Sequence, residues 1–361
     1  MEINQIIRWR ILLYVRLLLY SSMFVFNTSC TDWIYDDRSG CDSGVYLSFR
    51  YDYNLQRVDM FADYVGGITV YVFDTDGNFV MKQSEANLPG SAPLRFKDYR
   101  MHLDLPAGTY RFVALAMQKE VEETQVGEKA KFCIADPEGG KMEDLSVELE
   151  HAADGRVEHK GLPLDTLWHA MSSRWITTSD LYAVSDTLSL VRDTKHINVV
   201  LREIDRPEGV DVADYDFAII DRNLHLRYDN SVDESETAIY TPYVAWNTED
   251  RPLGDASEGV GRMAHVDFMT SRILYHDRAE DDAILTVTHK ETGKDVIRVN
   301  LADMLARLRT FAEIYAYSEQ EFLDRGYDYR LTFFLKGDTW EAVDLEISVL
   351  SWSKRIQNID L

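Results

Sequence analysis

The sequence predicts a mainly β protein, built as two tandem antiparallel β-sandwich domains with a small helical insertion in the second. Three observations predict it. Apolar and polar residues alternate over many short segments, Gly-, Pro- and Asp-bearing turns separate those segments, and one stretch, Leu301 to Phe311, has helical spacing. A period of two puts alternate side chains on one face of a sheet, whereas spacing near 3.6 makes a stripe along a helix.

The first 29 residues stand apart from that pattern. Arg8 and Arg10 form a basic head, Arg16 follows, and Leu17 to Phe26 is apolar. This is the pattern of a secretory signal, and the apolar run is too short and interrupted for a membrane span. Thr28 and Ser29 precede Cys30, which suits cleavage before Cys30 and acylation of its thiol by palmitate-type chains. Asn27 stands where lipoprotein signals usually carry an aliphatic residue. An ordinary cleaved signal with Cys30 as a bystander, and an uncleaved anchor, are the alternatives. Lipidation by several chains would be effectively permanent, since each buried methylene adds about 0.8 kcal/mol.

The expected organisation is a signal peptide over 1–29, a lipidated stalk over 30–43, and sandwiches over 44–205 and 206–361. Thr31 to Gly40 is acidic and turn-rich, as a stalk would be. Val45 to Tyr53 alternates as a half-buried strand, and Ile68, Val70 and Val72 repeat the period before the Asp74–Asn78 turn. Met101, Leu103 and Leu105 lead to Pro106-Ala107-Gly108, after which Tyr110, Phe112 and Ala114 return, which reads as a hairpin. The pattern weakens from Gln118 to Arg156 and resumes around Leu181–Val191 and Ile197–Leu201. Arg206-Pro207-Glu208-Gly209 reads as the linker between domains. Beyond it, Tyr215–Ile219, Leu224–Tyr228, Ala283–Val287, Val296–Val299, Tyr329–Leu335 and Trp340–Val349 are strands. Leu301, Met304, Leu305, Leu308 and Phe311 mark the helix.

Charge narrows the partners. The 361 residues hold 38 Lys+Arg against 62 Asp+Glu, a net charge of −24. The first 29 carry three Arg and one Glu, so the remainder stands at −26. Such a surface excludes nucleic acid, whose phosphates need basic patches, and it gives no electrostatic hold on anionic lipid. Besides Cys30 there are Cys41 and Cys133. A bridge between them would close a loop of 93 residues and contribute about 4–5 kcal/mol in the chain-entropy model. Two separate thiols are the other reading.

These landmarks together resemble the FimB-type family, the lipoprotein anchor subunits of outer-membrane fimbriae built from fimbrillins. The resemblance runs from Cys30 to the C-terminus. Its pieces are Cys30 with the acidic stalk and Cys41, Leu47 to Asn54, Val70 to Gly77, Leu105-Pro106-Ala107-Gly108-Thr109-Tyr110, Tyr327-Asp328-Tyr329 and Ile347 to Trp352. Each alone is ordinary β chemistry; the order and spacing carry the likeness. The resemblance implies a pair of transthyretin-like sandwiches and no catalysis. It also implies a lipid-held position at the outer-membrane surface and a fimbrillin shaft subunit as partner, joined by strand addition. In strand addition, unpaired backbone groups at a sheet edge give affinity and alternate side chains give specificity.

Other motifs are weaker. Asp74, Asp76, Asn78 and Glu85 fall on a calcium-loop template, but its obligatory Gly position holds Phe79, so the hairpin explains them better. His151, His159, His169, His265 and His276 read as scattered surface residues without metal-ligand spacing. No nucleophile elbow, phosphate loop or dinucleotide fingerprint is present, and no cofactor is expected. Trp168, Trp175, Trp246, Trp340 and Trp352 could form a sugar-stacking platform, which keeps a carbohydrate-binding surface lipoprotein as the second reading. In sandwiches such residues more often fill the core, and Trp168 and Trp175 are the better candidates for exposure.

Overall fold

The computed structural model describes residues 43–206, 209–250, 261–311, 316–337, 339–349 and 352–359. The signal peptide, Cys30, Cys41 and the stalk up to residue 42 lie outside the described residues. What is described is mainly β, as the sequence predicts: five sheets with a few short helices.

A three-stranded sheet, Val184–Ser189, Val45–Arg50 and Arg100–Leu103 in that order, packs on a six-stranded one. The latter runs Val191–Arg192, Leu167–Met171, Thr109–Met117, Gly67–Asp74, Phe79–Ala86, with Ile176–Thr177 also paired to Thr109–Met117. Val45, Leu47, Ile68, Val70, Phe112 and Trp168 fill the space between them. The larger sheet is covered on its other face too, where Tyr71, Phe73, Val113 and Leu115 enter a second cluster. This explains the near-continuous apolar run of Gly67–Asp74, because a strand buried on both faces has no polar side to alternate.

The second cluster is shared by three further sheets. One runs Val232–Asp233, His225–Arg227, Ser146–Leu149, Phe132–Ala135, and another Lys294–Asn300, Ile284–His289, Tyr215–Asp221, Ala238–Tyr240, Arg156–Val157. The third is Val244–Asp250, Gly261–Thr270, Lys195–Glu203, Asp328–Lys336, Thr339–Val349, Trp352–Ile359. Asp328–Lys336 shows the expected alternation, with Tyr329, Leu331, Phe333 and Leu335 buried. One apolar cluster therefore runs from the N-terminal six-stranded sheet deep into the C-terminal half.

The structure departs from the sequence reading in three places. The sheets cross the line drawn at 205/206: Ser146–Leu149, Arg156–Val157 and Lys195–Glu203 all pair with strands that follow it. Two of these have four residues or fewer, too short for a period to register in sequence. Secondly, the Pro106–Gly108 turn is not a hairpin. Arg100–Leu103 pairs with Val45–Arg50, and Thr109–Met117 pairs in the other sheet, so the turn carries the chain across the core. Alternation is identical in both cases, since a hairpin and a crossing each present one apolar face inward. Thirdly, Val45–Arg50 with Val184–Ser189, Lys195–Glu203 with Asp328–Lys336, and Ala238–Tyr240 with Arg156–Val157 run parallel. Parallel partners are joined by long connections that leave no local signal.

The helical insertion is present as Leu301–Ala306, continued by a tighter turn over Arg307–Phe311. The Asn300 side chain accepts from the Asp303 N–H at 2.8 Å and caps it, and Leu301, Met304, Leu305 and Leu308 are buried. Glu319–Arg325 is a further short helix, capped by Ser318, without a counterpart in the sequence-based expectation.

In the parallel pair, His196 faces Asp328, with Nδ1 2.7 Å from Oδ1, and its Nε2 lies 3.4 Å from Asp267. Burial alone would lower the imidazole pKa, but hydrogen bonds with Asp267 and Asp328 outweigh it and raise it to about 9. The folded state thus binds the proton more tightly than the unfolded state, whose histidine titrates near 6.5. The stabilisation is fully present below pH 6.5 and is lost as pH rises through 9. Discounted for the group's partial exposure, it amounts to roughly 2 kcal/mol. Urea titrations at pH 6.5 and 9 should show this loss in the wild type and a clearly smaller one in His196→Gln. Equal losses would remove His196 as the cause.

Candidate anchoring end, junction and assembly edges

The chain enters the fold at Ser43 and Gly44. Gly44 has φ +85°, and a Cβ there would lie 2.2 Å from the Leu103 carbonyl oxygen, so only glycine fits. Its carbonyl accepts from the Val184 N–H at 2.9 Å, while His102 Nε2 donates to the Ser43 carbonyl at 2.7 Å. The His102 and Tyr46 rings stack at 4.5 Å. The first described residues are therefore held between two neighbouring strands at one end of the N-terminal sandwich.

The second feature is a buried polar junction where the chain passes from one half to the other. Val191–Arg192 belongs to the N-terminal six-stranded sheet and Lys195–Glu203 to the C-terminal one. Between them Asp193 is 0% and Lys195 1% exposed. The Lys195 ammonium donates to the carbonyls of Arg192, Asp324 and Gly326 at 3.1, 3.2 and 2.9 Å. Asp193 accepts from Asn230 at 2.9 Å. Arg272 grips Asp324 with two hydrogen bonds, 2.8 and 2.7 Å, and also donates to the Asn230 carbonyl. Burial pushes the Asp193 carboxyl up and the Lys195 ammonium down, because each charged form has lost its water. Arg325 lies 3.9 Å over the Tyr53 ring and donates to the Asn54 carbonyl, and Arg57 donates to the Tyr317 hydroxyl at 2.9 Å. The Glu319–Arg325 helix and its flank thus bridge to the first half.

Third are the sheet edges. Phe79–Ala86 borders the N-terminal six-stranded sheet, and Val244–Asp250 and Trp352–Ile359 border the C-terminal one. Asn247 on Val244–Asp250 is tied to the adjoining turn, accepting from the Val212 N–H and donating to Asp211, both at 2.9 Å. Lys82 on Phe79–Ala86 pairs with Asp136 and with Glu138.

The residues singled out from sequence are dispersed. Cys133 lies exposed on Phe132–Ala135 with no disulfide among the described residues, its thiol pKa raised by burial and by Glu150 and Glu148. Its pairing with Cys41 remains an expectation, since Cys41 lies outside the described residues. The Asp74 carboxylate accepts from the Asp76 and Asn78 N–H groups and the Asn78 amide, and Gly77 turns the chain at φ +75°. Glu85 is up the next strand opposite Ile68. His265 is buried rather than on the surface, and so are His159 and His169. Burial lowers the latter two to about 4, and His169 Nε2 donates to the Tyr228 carbonyl at 2.8 Å. Trp168 is a core residue, edge-on to Tyr51 at 5.7 Å, and not an exposed one. Trp340 packs edge-on to Phe333, Trp246 stacks on His265, and Trp175 is exposed with Arg111 4.7 Å over its ring. The side chain of Trp352 lies outside the description.

The junction leaves no local signal in the sequence. Arg192-Asp193-Thr194-Lys195 looks like a solvated turn, and its partners Arg272 and Asp324 are dozens of residues away.

A family model for the fimbrillin-A associated anchor proteins Mfa1 and Mfa2 matches residues 38–358. The chain belongs to this family. The minor fimbrium anchoring subunit Mfa2 of Porphyromonas gingivalis (strain ATCC 33277) is 22% identical over 281 residues, 76% of this chain and 74% of that protein. A solved structure of a proposed adhesin from Bacteroides thetaiotaomicron VPI-5482 superposes with TM-score 0.68 at 29% identity, covering 88% and 99% of the two chains. Another from that organism, described among proposed polysaccharide-binding proteins, gives 0.66 at 30% identity with the same coverage. The fimbrial anchor protein Mfa2 of P. gingivalis gives 0.53 at 17%, covering 86% and 98%, a likeness of fold. As a member of the Mfa1/Mfa2 anchor family the chain has a fimbrial role at the cell envelope and associates with fimbrillin subunits. The family is one of structural anchors and adhesins, in keeping with the FimB-type resemblance.

Proposed function

We propose that this chain is an outer-membrane lipoprotein, cut before Cys30 and held by lipid on that cysteine, which fixes a fimbrium to the cell surface and takes part in its assembly and in adhesion. The observation that carries this reading is the anchor-family match over residues 38–358, which begins eight residues past Cys30. The entry of the chain at Gly44 supports it, because a tether joined there leaves the C-terminal half at the far end of the sequence for a partner. The shaft fimbrillin joins by strand addition, and Val244–Asp250 and Trp352–Ile359 are the edges offered by the C-terminal six-stranded sheet. Pulldown of intact surface complexes should recover a fimbrillin with this chain, and deleting its gene should shed fimbriae or change their length. Cell-attached fimbriae of unchanged length in the deletion strain would end this reading.

A second reading, a carbohydrate-binding surface lipoprotein, is favoured by the likeness to the proposed polysaccharide-binding protein and by the exposed Trp175. Saturable binding on a glycan array, reduced tenfold or more by Trp175→Ala, would establish it.

A further inference from the structure

We propose that the end of the N-terminal sandwich where the chain enters is a lipid-facing surface, seated on the membrane that holds Cys30. Val45 and Val184 begin neighbouring parallel strands, and the Val184 N–H donates to the Gly44 carbonyl, so the segments that lead into both strands, Ser43–Gly44 and Leu181–Tyr182, lie at the same end of the sheet. Leu181 and Tyr182 are 55% and 62% exposed. Beside them are the exposed Pro106 and Ala107 of the turn between sheets. Several hydrogen bonds hold these two loop tips together, among them the following. Ala107 N–H donates to the Asp180 carboxylate at 3.0 Å, Thr178 N–H to the Gly108 carbonyl at 2.8 Å, and the Thr178 hydroxyl to the Pro106 carbonyl at 2.5 Å.

The surface is thus a fixed apolar rim of one proline, one alanine, one leucine and one tyrosine, with the nearby Asp180 carboxylate engaged by backbone. Just along from it stands Trp175, 38% exposed, with Arg111 over its ring and Arg174 next in sequence. Aromatic rings with arginine neighbours suit the headgroup layer, where an apolar body and a polar tip are both accommodated.

The occupant follows from the tether. Twelve residues separate Cys30 from Ser43, a reach of at most about 45 Å at 3.3–3.6 Å each. Acyl chains on Cys30 keep this end within that reach of the bilayer, where even weak apolar contact is favoured by its high effective concentration. The rest of the surface, at net −26 beyond residue 29, gains nothing from anionic lipid. A second point of contact would fix the tilt of the molecule, which attachment through Cys30 alone does not.

This inference rests on the lipid anchor proposed above, and the test separates the two. Full-length lipidated protein is placed in phosphatidylethanolamine–phosphatidylglycerol vesicles with or without brominated acyl chains. The added fluorescence of Tyr182→Trp should fall by about half or more in brominated vesicles, as for an interfacial ring. Val126→Trp, at a position 73% exposed past the opposite end of the Thr109–Met117 strand, should be essentially unquenched. The mass of the N-terminal peptide reports acylation independently. Acylated protein whose Tyr182→Trp signal is unquenched, or quenched no more than Val126→Trp, overturns the lipid-facing end and leaves the anchor standing. Protein without acyl chains overturns both.

Discussion

Replacing Arg272 with alanine is expected to destabilise the fold by about 3–5 kcal/mol, the range for breaking one side of a buried ion pair. Asp324 is 7% exposed and takes two of its hydrogen bonds from this guanidinium. Among the described residues, removing Arg272 leaves the buried carboxylate with only the Gln320 amide, 3.0 Å away, and strips the Asn230 carbonyl of its Arg272 donor. Attraction between the two charges is not the main term. The cost comes from stranding the survivor, because a pair taken out of water nearly breaks even on its own. Arg272→Met with Asp324→Leu should accordingly cost less than either single change. Since one apolar cluster spans the N-terminal six-stranded sheet and the C-terminal half, the loss should appear in one urea transition reported alike by tryptophan emission and circular dichroism. Single variants within about 1 kcal/mol of wild type, or a double variant costing the sum of the two, would show that the junction does not behave as a buried ion pair.

Replacing Cys30 with alanine should move nearly all of the protein from the membrane fraction to the soluble one. Each buried methylene of an acyl chain contributes about 0.8 kcal/mol, so two or three chains give a hold that no surface contact matches. The acidic remainder of the chain cannot substitute for it by electrostatics, and among the described residues no helix is long and apolar enough to cross a membrane. Fimbriae should be released with the protein if it is their fixed point. Retention of Cys30→Ala in the membrane fraction at wild-type levels would refute lipidation as the anchor.

Much of the architecture was legible because its causes are local. The alternation in Val45–Arg50 and Asp328–Lys336 assigns each residue to a face. The Asp74–Asn78 turn supplies its own side-chain bonds and its Gly77, and the buried spacing of Leu301–Ala306 needs only one helix to explain it. The family likeness was legible for the same reason, as an order of such local pieces.

By itself, then, the sequence determined the β character, the helical insertion, most turns and the strongly acidic charge balance. Only the tertiary structure decided which strand pairs with which. It carried the Leu105–Thr109 turn across the core instead of back along one sheet, and drew Ser146–Leu149 and Lys195–Glu203 into sheets of the C-terminal half. It also decided that Trp168 and His169 are interior while Leu181 and Tyr182 face outward. The physical reason is one of range. A period of two fixes the face a side chain occupies, but a strand's partner is selected by surfaces far along the chain. The buried charges of Asp193, Lys195, Arg272 and Asp324 become tolerable only when those distant segments meet.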